Sequence, residues 1–303
     1  MIPAREKWRP LHCRRSRRAA SEAGNSPYTL RRRRFRVPLG EARMAEAPGI
    51  AVSKSRRAPS RPVEADDIDP FRASSDGQTS GTKASVGLDV VKADPEVQAF
   101  IRNANRNLGA IGYTEHGFRH VGLVANIARN ILKRMGFDRR QQELAAIAAY
   151  LHDIGNVVSR LDHARTGALL AHGILRRLGA TPEDAAIVMG AIGSHEDEGH
   201  IGDPVHAVSA ALILADKADV HRSRVRNTDP TTFDQHDRVN FAATSSRLRV
   251  DPDAKSITLE IDTSIAPVMQ YFEIFLPRML MSRRAAEALG YAFHITINDV
   301  SVL

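Results

Sequence analysis

The chain has 303 residues, enough for one large domain or two ordinary ones, and its 43% hydrophobic content allows a sizeable core. The single cysteine, Cys13, excludes disulfide bonds within the chain and cysteine-based zinc sites, as is typical of a cytoplasmic protein. No run approaches the roughly 18 consecutive apolar residues of a membrane-spanning helix, so we expect no membrane partner.

The net charge of +8 is concentrated near the N-terminus. Residues 1–43 contain 13 Lys and Arg but only 3 Asp and Glu, whereas the other 260 residues contain 30 basic and 32 acidic residues. Residues 1–85 lack hydrophobic periodicity, which predicts a disordered, Arg-rich extension. A nucleic-acid-binding arm, a transit peptide and an extension without a role in the fold are its three interpretations. The near-neutral remainder argues against an extended nucleic-acid groove.

Apolar residues spaced three and four apart predict six helices after this extension. Pro95 begins the first helix, and Asp138 and Thr181 are the expected N-caps of the third and fifth. The second to sixth helices are expected at 115–135, 139–151, 163–178, 181–195 and from 204 to beyond 216.

The character of the sequence changes after residue 226. Alternating apolar and polar residues predict a β-hairpin, and a long amphipathic helix and a last strand follow it. Ser264 is the expected N-cap of that helix, which Pro277 should interrupt. The hairpin strands and the last strand are predicted at 246–250, 256–262 and 293–297. The sequence therefore predicts a mainly α protein, with a helical domain at 86–228 and a small C-terminal α+β appendage at 229–303.

Residues with metal-ligating side chains stand at the ends of the predicted helices. They are His120, His152, Asp153, His163, His195 and Asp216. Facing helices of a bundle build metal sites from such inward-projecting residues. Four imidazoles and two carboxylates favour two divalent ions, with Fe or Mn preferred and Zn, Ni or Mg as alternatives. Asp153 lies in the middle of the set, which predicts that its carboxylate bridges the two ions.

His120, the pair His152-Asp153 and Asp216 resemble the ligand pattern of the HD superfamily of metal-dependent phosphohydrolases, whose fold is a helical bundle. The resemblance covers residues 116–226 and includes the sequences His-Asp-Ile-Gly and Ala-Asp-Lys. The segment from His163 to Gly167 is similar to the His-x-x-x-Gly of HD-GYP proteins. Together with His195, this segment also resembles bacterial HD hydrolases of dinucleoside tetraphosphates. The resemblance therefore implies a two-metal branch.

The chain departs from the HD-GYP pattern at three points. Ser194 stands before His195, where those phosphodiesterases have a further histidine. Gly202-Asp203-Pro204 replaces their Gly-Tyr-Pro motif, and Asn156 occupies the position of a frequent lysine. Cyclic-dinucleotide hydrolysis is therefore not favoured, and the substrate stays open.

The resemblance implies a phosphohydrolase that cleaves a phosphate ester or anhydride of a small, nucleotide-like substrate with a metal-activated water. Lys217 and Arg165 are expected to bind phosphate, although either could be a solvated helix charge. His116, one turn before His120, could be a hydrogen-bond partner of a ligand, an extra ligand, a proton donor or an exposed residue. An HD-fold di-iron oxygenase and a nucleotide-binding regulatory protein are the alternative functions, and a homo-oligomer is compatible with each.

Overall fold

The computed structural model describes residues 85–196, 202–264 and 268–302, all within one compact unit, Glu64–Leu303. The predicted N-terminal extension lies outside these described residues, except for Ser85. Helices dominate the described chain and a small sheet lies near its C-terminal end, as the sequence predicts. Of the helices described, none combines the length and the hydropathy needed to cross a bilayer.

Nine α-helices lie in the described residues, and they include the six predicted before residue 226 and the long C-terminal helix. Asp138 accepts a hydrogen bond from the backbone N–H of Gln141, which explains why α4 starts where it was expected. Three 3-10 turns, at Ile154–Val157, Arg222–Arg224 and Pro230–Thr232, lie between helices. The helices are α1 Leu88–Ala93, α2 Pro95–Ala110, α3 Phe118–Arg134, α4 Arg139–Leu151, α5 His163–Arg177, α6 Pro182–Gly193, α7 Ala207–Lys217, α8 Gln235–Ala242 and α9 Val268–Ala288.

Helices α4 and α7 form the centre of the helical part. α4 packs against α3, α6 and α7, and α7 also packs against α9. Every residue of α7 is buried, and so are residues 144–151 of α4. A helix that is apolar around its whole circumference belongs in a protein core. The two helices therefore carry the polar residues at their C-terminal ends, His152, Asp153 and Asp216, into the interior.

The C-terminal sheet has four strands in the order β1-β2-β3-β4. β1 and β2 form the predicted antiparallel hairpin, β2 and β3 are parallel, and β3 and β4 are antiparallel. A parallel pair needs a crossover connection, and α9 provides it between β2 and β3. The strands are Ala243–Asp251, Ser256–Thr263, Ala292–Ile297 and Val300–Ser301.

Two helices of the C-terminal part differ from the sequence prediction. α9 continues through Pro277, where an interruption was expected. A proline removes only one helical hydrogen bond, and the packing of α9 against both α7 and β3 stabilises the continuous helix. The sequence also does not predict α8, a short polar helix whose N-cap, Asp234, accepts a hydrogen bond from the N–H of Asp237.

Candidate metal centre

The structure brings the six predicted ligand residues together in the interior. All six are buried, with exposed fractions between 0% and 6%. Each reaches the centre from an element end or the residues that directly follow it. His120 lies in the first turn of α3, His152 and Asp153 follow α4, His163 begins α5, His195 lies two residues after α6, and Asp216 lies in the last turn of α7.

Each of the four imidazole rings donates its Nδ1 hydrogen to an oxygen behind the ring. For His152, His163 and His195 this oxygen is the backbone carbonyl three residues earlier, at 2.7, 3.1 and 2.6 Å. For His120 it is a carboxylate oxygen of Asp219, at 2.7 Å. Because a carbonyl or an ionised carboxylate can only accept, Nδ1 carries hydrogen and each Nε2 faces the other ligands. Such contacts behind the ring are typical of metal-ligating histidines.

His120, His152, Asp153 and Asp216 form the first ligand group. The two Nε2 atoms are 3.3 Å apart. Asp153 Oδ2 lies 3.6 Å from His120 Nε2 and 3.2 Å from His152 Nε2, and Asp216 Oδ1 lies 3.4 and 3.7 Å from the same two atoms. Asp153 Oδ2 is buried and has no hydrogen-bond partner. Two Nε2 atoms this close need either a proton or a metal ion between them, and the unpartnered carboxylate oxygen beside them fits a divalent ion.

Asp153, His163 and His195 form the second ligand group, whose ligand atoms all lie within 4.8 Å of one another. The other oxygen of Asp153, Oδ1, lies 3.6 Å from His163 Nε2. The rings of His163 and His195 meet edge to face, with 5.2 Å between their centroids. Asp153 is thus common to both groups and presents one oxygen to each, which is the position that a bridging carboxylate needs.

The electrostatic environment differs between the two groups. Burial lowers the pKa of His152, but the carboxylates of Asp153 and Asp216 outweigh burial and raise this pKa to about 9. Burial and the positive charges of its neighbours lower the pKa of His195 to about 3. Burial raises the pKa values of Asp153 and Asp216, but positively charged neighbours hold both well below the usual value. Both carboxylates are therefore ionised at neutral pH.

Two glycines of the sequence motifs, Gly155 and Gly167, pack against each other. A Cβ atom on Gly155 would lie 2.0 Å from the backbone oxygen of His163 and 2.6 Å from the backbone nitrogen of Gly167. A Cβ atom on Gly167 would lie 3.2 Å from the backbone nitrogen of Gly155. The start of α5 therefore packs main chain to main chain on the turn after Asp153. This close approach holds His163 beside Asp153.

Lys217 and Arg165, the two predicted phosphate ligands, lie in different environments. Lys217 is buried, and its Nζ is 2.6 Å from Asp216 Oδ2. Arg165 is exposed on α5, where it pairs with Asp162 at 2.5 Å. Arg165 is not among the described residues that line the neighbouring cavity, whereas Arg160 and Lys217 are.

His116 lies beside the first ligand group, with its ring centroid 5.3 Å from that of His120. Its Nδ1 donates to the carbonyl oxygen of Thr114 at 2.8 Å, so its Nε2 accepts from Arg224 at 2.9 Å. Burial and the charge of Arg224 lower the pKa of His116 well below its usual value. His116 is thus neutral, holds no proton on Nε2, and orients the guanidinium of Arg224.

A cavity of about 480 Å³ opens beside the centre. The ligands Asp153 and Asp216 line it, and α8 and α9 complete its wall. Five carboxylates and four cationic side chains line the cavity, and the cations can pair with an anionic group such as a phosphate. The cations are Arg160, Lys217, Arg224 and Arg278.

Sequence reasoning missed three residues that contact the ligands. Asp219 accepts from His120 and also from Arg119, at 2.8 Å. Glu196 contacts Nε2 of His163, and Arg160 lies against the ring of the same residue. All three lie within three residues of a predicted ligand, and this proximity was the only sequence signal that could have found them.

Residues 117–223 match the family model of the HD domain, and this range contains all six ligand residues. That segment is therefore similar to the HD domain. An uncharacterized protein of Methanocaldococcus jannaschii is 30% identical over 160 residues, which cover 46% of this chain and 61% of the relative. A crystal structure of a predicted HD superfamily hydrolase from an uncultured Thermotogales bacterium is 29% identical, with a TM-score of 0.33. That match covers 42% of this chain and 67% of the other.

Proposed function

We propose that this protein is a metal-dependent phosphohydrolase that cleaves a phosphate ester or anhydride of a small, nucleotide-like substrate. The observation that carries the proposal is the position of Asp153, whose two oxygens face two separate groups of imidazole Nε2 atoms. The HD domain match over the same residues supports it.

The two ligand groups would hold two divalent ions, with Asp153 shared between them. Fe or Mn suits this set better than Mg, because Mg prefers oxygen ligands and water to imidazole. Ions bound there supply positive charge to phosphate oxygens and lower the pKa of a coordinated water.

Cationic side chains of the chain itself would bind the substrate phosphate. Lys217 and Arg224 line the cavity and are both buried, so water screens their charges little. Arg224 donates to the backbone oxygen of Asp219 at 2.7 Å and to His116, which fixes its guanidinium beside the centre. Cations held in place in this way bind phosphate oxygens through charge-assisted hydrogen bonds and stabilise negative charge that develops during hydrolysis.

The dimensions and polarity of the cavity support a small substrate with polar groups beyond its phosphate. A volume of about 480 Å³ is within the usual range for small-molecule sites, roughly 300–1,000 Å³. Asp234, Asp237 and Asn240 of the α8 region line the wall with hydrogen-bonding groups. A nucleoside offers the hydroxyl and amino groups that such a wall would contact.

A turnover screen with metal-loaded protein tests this proposal. The protein is loaded with Mn²⁺ or anaerobically with Fe²⁺ and incubated with nucleotides, dinucleoside tetraphosphates and cyclic dinucleotides, and products are separated by chromatography. We expect cleavage of at least one class, abolished by a chelator and restored by adding the metal. Asp153→Ala, prepared in parallel, should be inactive, which controls for contaminating phosphatases.

Two results would contradict the proposal. The first is a protein that binds two ions per chain yet cleaves none of these phosphates. The second is oxygen consumption with a mixed-valent iron signal and no cleavage, which would indicate an HD-fold di-iron oxygenase instead.

A further inference from the structure

Glu196 is a carboxylate at the open side of the second ligand group. Its Oε2 lies 3.0 Å from Nε2 of His163, and its Oε1 lies 2.7 Å from the guanidinium of Arg160. Glu196 also lines the cavity, as does Asp153. Burial raises its pKa, but Lys217, His163 and Arg160 hold this pKa well below the usual value, so the carboxylate is ionised.

The contact between Glu196 and His163 needs a proton or a metal ion between its two atoms. His163 Nδ1 donates to the carbonyl of Arg160, so the nitrogen that faces Glu196 is the one that carries a lone pair in the neutral ring. A carboxylate oxygen 3.0 Å from such a lone pair is repelled unless a proton or a metal ion lies between them. Arg160 does not fill this role, because its NH1 is equidistant, 3.2 Å, from both ring nitrogens and so lies over the ring.

Asp216 in the first ligand group has the same arrangement. One oxygen of Asp216 faces the Nε2 atoms of its histidines, and the other is 2.6 Å from the ammonium of Lys217. Glu196 likewise presents one oxygen to an imidazole Nε2 and the other to a cation, Arg160. Each group then contains two imidazoles, one oxygen of Asp153 and one further carboxylate paired with a cation.

We propose that Glu196 is a fourth protein ligand of the second divalent ion and that Arg160 positions its carboxylate. The inference rests on the proposed two-ion centre. Ligand atoms about 2.1 Å from an ion are about 3.0 Å apart when they are adjacent in an octahedron, which agrees with the distance from Glu196 to His163. Glu196 would also give the second ion a carboxylate of its own, since Asp153 is shared.

Stepwise metal binding to Glu196→Gln tests the proposal. The ion-free full chain is titrated with Mn²⁺ by calorimetry, and paramagnetic resonance reports whether two Mn²⁺ ions are magnetically coupled. We expect the first ion to bind within about two-fold of the parent affinity and the second to bind at least tenfold more weakly, with loss of the coupled signal. Glu196→Asp, which keeps a carboxylate, should retain part of the second affinity.

Glu260→Gln is the matched control, because Glu260 also pairs with an arginine, Arg249, at 3.0 Å and has a similar exposure, 32% against 29% for Glu196. This variant should bind two ions as the parent does. The proposal is overturned if Glu196→Gln, folded by thermal melting, keeps the second affinity of the parent. It is equally overturned if Glu196→Gln and Glu260→Gln change binding alike.

The titration contains no substrate, so its outcome is independent of the phosphate screen. If the parent protein cleaves no phosphate, the titration still tests whether Glu196 binds the second ion. A parent protein that binds a single ion refutes the two-ion centre and this inference together.

Discussion

The two ligand groups that share Asp153 differ in how deeply the protein encloses them. In the first group, His120 is held by the carboxylate of Asp219, and the side chain of Asp216 is only 9% exposed. In the second group, the histidines contact only backbone carbonyls from behind, and the facing carboxylate, Glu196, is 29% exposed. Two sets of similar ligand atoms thus differ in the groups that lie behind them and in their exposure.

Charge reinforces this difference between the groups. A carboxylate behind an imidazole raises the basicity of the nitrogen that binds the metal, whereas a carbonyl does so less. In the second group, the guanidinium of Arg160 lies against the ring of His163, which disfavours a nearby cation. We therefore expect the first group to bind its ion more tightly and the second to fill later.

Removing the shared carboxylate should produce the largest effect. Asp153→Ala is expected to lose both ions, because each group then loses the oxygen ligand that Asp153 supplies and keeps mainly its imidazoles. Metal content per chain, measured after desalting, should fall from about two ions to none. Asp253→Ala, in an exposed turn, should keep both. Retention of one ion by Asp153→Ala would show that the two groups are independent.

A substitution that pushes α5 away from the turn after Asp153 should weaken ion binding in the second group more than in the first. Gly155→Ala places a methyl group against the backbone of His163, and we expect a loss of about 3 kcal/mol in the free energy of unfolding and weaker binding of the second ion. The control is Gly173→Ala inside helix α5, where the added Cβ atom would meet nothing within 4 Å. It should stabilise the protein by about 0.5–1 kcal/mol. Equal melting temperatures for the two variants would contradict the close backbone contact.

His195→Ala should distinguish the groups directly. Because His195 belongs only to the second group, metal content is expected to fall from about two ions to about one, and the first ion should keep its affinity. Mass spectrometry of the native protein measures this stoichiometry. If both ions remain, His195 is not a ligand.

Asp219→Asn should weaken the first ion while sparing the second. Asparagine keeps the shape of the side chain but removes the negative charge behind His120. Losses of about 10- to 100-fold in affinity are typical when such a partner is removed. Calorimetric titration would show the effect in the first binding step, and an equal loss in both steps would argue that Asp219 acts through overall stability.

Proton release on ion binding should differ between one histidine of each group. With a pKa of about 9, His152 is protonated at about pH 7.5 without an ion and must lose that proton to become a ligand. With a pKa of about 3, His195 is already neutral and releases none. Titrations in buffers of different ionisation enthalpy measure the protons released, and we expect about one more in the parent than in His152→Ala.

The raised pKa of His152 predicts how the stability of the ion-free protein changes with pH. A pKa raised in the folded state contributes stability that is fully present below the unfolded value of about 6.5 and is lost as the pH rises through about 9. The ion-free protein should therefore lose the contribution of His152 between these pH values. Thermal melting of chelator-treated protein across this range checks the direction.

The sequence predicted the elements that local patterns determine. Apolar runs that end in His152-Asp153 and in Asp216 identified two buried helix ends, and Asp138 located the start of α4. The sequence did not predict α8, because eight mostly polar residues carry no periodicity that separates a helix from a loop.

The parts of the site that depend on distant contacts could not be read from the sequence. The partner of His116 is Arg224, 108 residues away, and no local pattern joins them. Arg165 was chosen as a phosphate ligand because it lies inside the motif that starts at His163. The structure instead lines the cavity with Arg160, which precedes the helix and lies on its inner side.

Much of the cavity wall comes from a later part of the chain than the six ligand residues. The HD domain match ends at residue 223, and eight of the described residues that line the cavity lie beyond it. They are Arg224, Asp234, His236, Asp237, Asn240, Pro277, Arg278 and Met281. Substitutions in this later stretch can alter which molecule enters while the ligands keep their positions. If the two ligand groups hold metal ions, this later stretch would set which molecule reaches them without changing how they are held.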